Sequence, residues 1–245
     1  MIVVDVGNTS LHFYWVKKNK ILRTKEISTH NASEHSVSKI INGIAEENII
    51  VCSVVPRVTD IFKKLKKKLP RINIHIVGKD IRVPIKCFYN KKSVGMDRVV
   101  GAYGAKKIYR NARIVIDFGT AITFDILSKN GDYEGGLILP GIGSTLKVLS
   151  SCALLPKTIK LEKTKIAIPR DTRESIYKGL DEGFSSMINH LVEKYKRMLK
   201  LPASNRIIIT GGDARFILPG LKFRHQYEPF LVAKGLSKLS EILPR

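Results

Sequence analysis

The sequence predicts an α/β chain of two similar halves, each opening on a tight hairpin. Three observations carry that prediction. Residues 114–127 read Ile-Val-Ile-Asp-Phe-Gly-Thr-Ala-Ile-Thr-Phe-Asp-Ile-Leu, a β-branched run ending in an acid, then a glycine turn, then a second apolar run. This is the pattern of strand, tight turn, strand. Residues 2–16 repeat it: Asp5 aligns with Asp117, Gly7 with Gly119, Asn8 with Thr120 and Thr9 with Ala121. After the first copy the periodicities continue as strand, helix, strand, helix, strand. A dinucleotide-binding half would instead begin strand, helix. A matched internal repeat decides the fold. The expected division is 1–112 and 113–245, with a ligand cleft between the two hairpins.

The hairpin turns have a chemistry of their own. An acid stands at each strand tip. The glycine lets backbone approach a ligand closely, and neighbouring N–H groups and the Thr120 hydroxyl can donate to phosphate oxygens. A plain hairpin with Asp and Gly at its turn explains either copy alone, but explains two matched copies poorly.

Along the first half, residues 19–26 read as a third strand, antiparallel to the second. Residues 33–47 have helical character, and residues 49–55 form a β-branched run closed by Pro56. In residues 59–69, Ile61, Phe62, Leu65 and Leu69 recur at helical spacing. Lys63, Lys64, Lys66, Lys67 and Lys68 therefore fall on the outer face of an amphipathic helix. Residues 72–77 complete the half as a strand. Ser93-Val94-Gly95-Met96-Asp97-Arg98 then leads into a helix over residues 99–109. The start of that helix attracts anions and is expected to hold Asp97 ionised, with Arg98 reinforcing the carboxylate. Asp97 can accept a proton there, and Arg98 can grip a carboxylate or phosphate with its planar fork. Spacing alone is equally met by helix capping and a surface ion pair.

After the second hairpin, Gly135-Gly136-Leu137-Ile138-Leu139-Pro140-Gly141 allows close backbone approach and a turn. Residues 142–155 read as a helix stopped by Pro156, with Leu146, Leu149 and Ala153 on its apolar side. Asp171 and Glu174 have capping-box spacing at the start of another helix, on which Gly179 and Gly183 point to tight packing. Arg206–Thr210 is an apolar strand, and Gly211-Gly212-Asp213 is its turn into a short helix. Residues 232–242 close the chain as a helix.

Composition excludes several classes. No apolar run nears the ~20 residues of a membrane span. The first hairpin begins at Ile2, which leaves no room for a signal peptide, so a cytoplasmic location is expected. Cys52, Cys87 and Cys152 are isolated, lack metal-ligand spacing and do not form a disulfide framework. There is no Walker A run, and Gly141 and Gly143 lack the third glycine of a dinucleotide fingerprint. The net charge of +22 fits anionic substrates, a nucleic-acid partner or a solvated lysine surface. The absence of interleaved aromatics in the lysine run favours the solvated surface.

These motifs carry a resemblance. The paired Asp-x-Gly hairpins resemble the phosphate loops of the superfamily of acetate and sugar kinases, heat-shock chaperones and actin. Asp5-Val6-Gly7-Asn8-Thr9 near the N-terminus is similar to type III pantothenate kinases. So are Cys52-Ser53-Val54-Val55-Pro56, Gly95-Met96-Asp97-Arg98, Gly135 to Gly141 and Thr172. The resemblance spans nearly the whole chain. It implies two actin-like (ribonuclease H-like) domains and ATP-dependent phosphorylation of pantothenate to 4′-phosphopantothenate, the first step toward coenzyme A. The alternatives are another small-molecule kinase of the superfamily, or a non-enzymatic nucleic-acid-binding regulator.

It further implies residue roles. Asp97 is the general base. Asp5, Val6, Gly7, Asn8, Thr9, Ser10, Leu11, His12 and Thr120 bind ATP. Phe88, Gly95, Met96, Asp97, Arg98 and Thr172 bind pantothenate. Thr172 comes from the partner subunit of a homodimer. Asp5 orients Mg²⁺ through water, and Asp117 binds a monovalent cation, K⁺ or NH₄⁺. The sequence departs from the family pattern Tyr-x-Asn-Pro, whose tyrosine position here is Phe88 and proline position Lys91. Either Phe88 makes that contact through its ring, or Tyr89, one residue later, replaces it.

Overall fold

The computed structural model describes residues 1–41, 48–90, 93–152, 161 and 166–243. The first elements are β1 (Ile2–Val6), β2 (Ser10–Lys17), β3 (Lys20–Ser28), α1 (Glu34–Ile41), β4 (Asn48–Ser53), α2 (Pro56–Lys68), β5 (Asn73–Ile76) and α3 (Met96–Ile108). The expected helix over 33–47 is α1 as far as residue 41. Residues 42–47 lie outside the described residues, as does Lys91.

These strands form one sheet in the order β3-β2-β1-β4-β5. β1 lies in its middle, antiparallel to β2 and parallel to β4, which is why it is apolar on both faces. Val4 and Val6 join Leu11, Phe13, Val58 and Phe62 in one core. Val3 joins Ile50, Cys52, Val99 and Val100 in another. β3 forms the sheet edge and is mostly exposed and charged, which blunts pairing with other chains.

α2 starts at Pro56, three residues earlier than expected. A proline in the first turn lacks only an N–H that would be unpaired there anyway. Its lysines do face outward, and Lys63, Lys66 and Lys68 pair with Asp60, Asp80 and Glu34. Three lysines already engaged by carboxylates describe a solvated ionic face better than a surface kept clear for phosphates. Among the described residues no helix is long and apolar enough to cross a membrane.

The chain continues through β6 (Ala112–Phe118), β7 (Ala121–Leu127), β8 (Tyr133–Pro140), α4 (Ile142–Ser150), α5 (Thr172–Met198), β9 (Arg206–Thr210), α6 (Ala214–Ile217), β10 (Gln226–Tyr227) and α7 (Leu231–Ser240). The second sheet has the order β10-β9-β6-β7-β8. Counted from β6, this is the arrangement of the first sheet. The opening strand is central, antiparallel to its hairpin partner and parallel to the strand after the helices. The repeat visible in the sequence is thus a repeat of topology. The expected helix over 142–155 is described to Ser150, and Ala153 and Pro156 lie outside the described residues. Asp171 caps α5, accepting from the Glu174 N–H at 2.9 Å.

The chain clusters into two compact units. One comprises residues 1–110, 127–135 and 230–245, and the other residues 111–126 and 136–229. α7 belongs to the first. It packs on α3 where two glycines meet: a Cβ on Gly104 would lie 2.9 Å from the Leu231 carbonyl and 3.1 Å from the Gly235 Cα.

Candidate active site

In the first unit, Asp5 is the fourth residue of β1, on the same face as Val3. Its register partners are His12 on β2 and Cys52 on β4. The turn after it is closed by the Gly7 N–H donating to the Ser10 carbonyl at 3.0 Å, which leaves Asn8 and Thr9 exposed at its tip. The turn is braced from outside. The Thr29 hydroxyl donates to the Gly7 carbonyl at 2.7 Å, and the Thr29 N–H donates to the Thr9 carbonyl at 2.8 Å. Arg57, in the first turn of α2, donates to the Thr29 and Ala32 carbonyls. Thr29 and Arg57 escaped the sequence reading because their partners are remote in sequence.

Other expected ATP-binding positions have side chains occupied elsewhere. Val6 and Leu11 are core residues, which leaves only their backbone for a ligand. The Ser10 hydroxyl donates to Glu26 at 2.5 Å, and His12 lies 3.9 Å from the same carboxylate.

Asp97 sits in the first turn of α3, whose N-cap is Gly95. Its Oδ1 accepts from the Arg98 N–H at 2.8 Å and leans so closely over Gly95 that a Cβ there would collide with it. Burial pushes the Asp97 carboxyl above the usual aspartate range, against the lowering influence of the Arg98 N–H and guanidinium. This corrects the expectation from the helix start, because desolvation of a half-enclosed carboxylate outweighs the terminal dipole and the neighbouring cation. Burial drives the pKa of the Cys52 thiol up, and the charges of Asp5 and Asp97 add to it. Asp5 pairs in register with Cys52, and the helix that Asp97 opens packs Val99 and Val100 against the same face. Met96 packs into the core of that face.

The residues before α3 are held by β8. The Phe88 N–H donates to the Tyr133 carbonyl at 2.9 Å, while the Phe88 side chain is 64% exposed. Tyr89, rather than Phe88, lies against Arg98, with the guanidinium carbon 5.6 Å from its ring centroid.

In the second unit Asp117 has register partners Thr123 on β7 and Thr210 on β9, matching the place of Asp5. The turn is one residue shorter, with the Gly119 N–H donating to the Ala121 carbonyl at 3.2 Å. Thr120 is exposed, and its carbonyl accepts from the Gly141 N–H at 3.1 Å and the Ser144 hydroxyl at 2.7 Å. The Gly211 turn meets the same strand end, as the Asp213 N–H donates to the Phe118 carbonyl at 3.0 Å. Asp213 also accepts from the Gly143 N–H at 3.1 Å, and burial raises its carboxyl pKa. Three separate glycine motifs are thus knotted around the tip of β6. Thr172 lines an apolar groove of about 670 Å³ with Pro140, Leu149, Ile176, Phe184 and Met187.

The donor sets fit particular ions. Among the described residues no group of three His, Cys, Asp or Glu could cage a metal. Magnesium needs no cage; one or two carboxylates, water and phosphate oxygens suffice, and Asp5 beside an exposed turn supplies that. Asp117 Oδ1 lies so near the Gly211 backbone that a Cβ there would collide with it, and its carboxylate is of the hard oxygen type that a monovalent cation would take.

A family model described as type III pantothenate kinase matches residues 1–194. Proteins named type III pantothenate kinase from Sulfurihydrogenibium sp. (strain YO3AOP1) and Persephonella marina are 34% and 35% identical to this chain. They cover 96% and 95% of it and 97% and 95% of themselves. Among solved structures, one titled as a conserved putative Baf family transcriptional activator from Campylobacter jejuni superposes with a TM-score of 0.65. It has 22% identity and 98% coverage of both chains. The ethanolamine utilization protein EutJ from Carboxydothermus hydrogenoformans gives 0.57 at 14% identity, over 96% of this chain and 88% of its own. These likenesses carry the fold, which is the actin-like, ribonuclease H-like one.

Proposed function

The chain belongs to the type III pantothenate kinases, and on that premise we propose that it transfers the γ-phosphoryl group of ATP to the 4′-hydroxyl of pantothenate. It is a kinase of coenzyme A biosynthesis by family. The observation that supports the detailed reading is that Asp5 pairs in register with Cys52, while the helix that Asp97 opens packs Val99 and Val100 into the core that holds Cys52 and Val3.

In this reading Asp97 accepts the hydroxyl proton as the new O–P bond forms and the bond to the ADP oxygen breaks. Arg98 grips the pantothenate carboxylate, beside backbone from Gly95 and Met96. Asn8, Thr9 and Thr120 donate to ATP phosphates. Thr29 keeps the first turn in shape for that task. The chemistry is mainly positioning and charge stabilisation. Mg²⁺, oriented by Asp5 through water, would neutralise charge on the phosphates when bound. Asp117 would hold K⁺ or NH₄⁺ through its oxygens. A cytoplasmic location goes with this role. The test is ADP release measured with and without pantothenate. Release that is indifferent to pantothenate would sink the reading.

The same assay yields a second expected result. Replacing K⁺ by Na⁺ or a bulky organic cation should lower the rate severalfold, because charge at the phosphates loses a partner. Equal rates in all three salts would remove Asp117 from this role.

A homodimer with shared sites is the further part of the proposal. Gly179 and Gly183, four residues apart on α5, both line the apolar groove. A Cβ at either meets nothing within 4 Å, which is the room a second helix needs for close approach. Mixing Asp97→Asn with Thr172→Ala, each nearly inactive alone, should restore part of the activity, since a hybrid dimer holds one intact site. No recovery on mixing, or a fully active monomer by light scattering, would count against it.

A further inference from the structure

The Arg98 side chain is enclosed by two tyrosines that the family motifs do not assign to it. Its guanidinium carbon lies 5.6 Å from the Tyr89 ring centroid and 5.8 Å from that of Tyr133. The two rings are 6.3 Å apart and inclined by 54°. The three centres form a nearly equilateral triangle, so the cation sits in an aromatic corner rather than between parallel plates. Both distances are within the range where the ring quadrupole attracts a cation. Arg98 is only 7% exposed, and Tyr133 is fully buried.

The corner is built from strand pairing. The Tyr133 N–H donates to the Lys86 carbonyl, and its carbonyl accepts from the Phe88 N–H, both at 2.9 Å. That bridge, between Cys87 and Tyr133, fixes residues 86–88 and delivers Tyr89 next to Tyr133. Gly135 leaves room for the Tyr89 ring, because a Cβ there would stand 3.2 Å from Tyr89 Cδ2. One turn-pair further along α3, Lys106 pairs with Asp132 at 3.0 Å, so the residue before Tyr133 is tied to the same helix. A long, flexible arginine is thereby confined before any ligand arrives. Such confinement lowers the ordering cost of gripping a carboxylate.

We infer that Tyr133 and Tyr89 are positioning residues for Arg98, and that they set the affinity of this site for a carboxylate-bearing substrate. The inference rests on the pantothenate reading above. It gives Tyr89 a place beside the cation, and it gives Tyr133 a task beyond filling the core.

The experiment compares Tyr89→Leu, Tyr89→Phe, Tyr133→Leu and Tyr133→Phe with wild type, using initial rates against pantothenate and against ATP. The leucine variants lose the ring, and the KM for pantothenate should rise between about threefold and thirtyfold, the span of cation–ring contacts from exposed to desolvated. The KM for ATP should stay unchanged. The phenylalanine variants keep the ring face and should keep the wild-type KM. In an Arg98→Ala background, Tyr89→Leu should add nothing. Tyr89 is half-buried, so its variants carry the test should Tyr133→Leu fail to fold. A wild-type pantothenate KM in Tyr89→Leu overturns the inference alone, as does an additive effect on top of Arg98→Ala. A wild type that ignores pantothenate overturns the kinase reading and this inference with it.

Discussion

Asp97→Asn is expected to lower turnover by about 10²–10⁴-fold, the usual cost of removing a general base, with ATP affinity kept. Asparagine preserves shape, and its oxygen can still accept from the Arg98 N–H as Asp97 Oδ1 does at 2.8 Å. Only the proton acceptor is lost. Burial raises the Asp97 pKa, and a raised pKa makes the carboxylate a stronger base. The sign for activity follows. The base works deprotonated, so kcat/KM should fall as pH drops through a pKa above the ordinary aspartate value of about 3.9.

The sign for stability is opposite. Folding penalises the ionised form, and that penalty is fully present above the folded-state pKa. It disappears as pH falls below the unfolded one. Asp97→Asn should therefore melt no lower than wild type at neutral pH. The measurements are turnover, ATP affinity and thermal unfolding of the variant beside wild type. A loss under roughly tenfold lies below the range for a general base and would reduce Asp97 to a helix-start residue. Joint collapse of turnover, ATP affinity and melting temperature would make it structural.

The sequence carried the hairpins because their information is local. A β-branched run, an acid and a glycine within seven residues specify strand and turn, and writing them twice specifies the repeat. The same holds for the capped start of α5, where Asp171 and Glu174 are three residues apart. Contacts between remote residues were not legible. Thr29 reads as one hydroxyl among several, yet it braces the Gly7 turn across 22 residues. The Asp97 pKa was misjudged for the same reason. Its helix start and its arginine neighbour are visible in sequence, whereas its burial depends on tertiary packing. α7 reads as a closing helix, and its place in the first unit rests on remote contacts: its glycine approach to α3 and the core that Val232, Leu236 and Leu239 share with Val3 and Val99. Pro56 reads as the stop of the strand before it, yet β4 already ends at Ser53 and Pro56 instead opens α2, a place where its missing N–H costs nothing.

Gly211→Ala is expected to destabilise the protein by about 3–5 kcal/mol, a large share of the ~5–15 kcal/mol that holds a typical domain. Two costs combine. Gly211 has φ +97°, a backbone conformation that costs an alanine about 1–3 kcal/mol. Its new Cβ would also lie 2.5 Å from both the N and the O of Phe118, and against Asp117 Oδ1. Phe118 ends β6, the central strand of the second sheet, so these atoms cannot withdraw without disturbing the pairing with β7 and β9. The neighbouring glycine supplies the control. A Cβ on Gly212 meets nothing within 4 Å, and Gly212 has no positive φ. Gly212→Ala should therefore remain within about 0.5 kcal/mol of wild type, as surface substitutions do. Urea unfolding followed by circular dichroism separates the two. Equal midpoints for both alanine variants would mean that the turn yields freely and does not fix Asp117. If Gly211→Ala folds at low temperature, the displaced Asp117 carboxylate should also blunt the response of its residual activity to K⁺. Gly212→Ala, with its Cβ in open space, should keep the wild-type response.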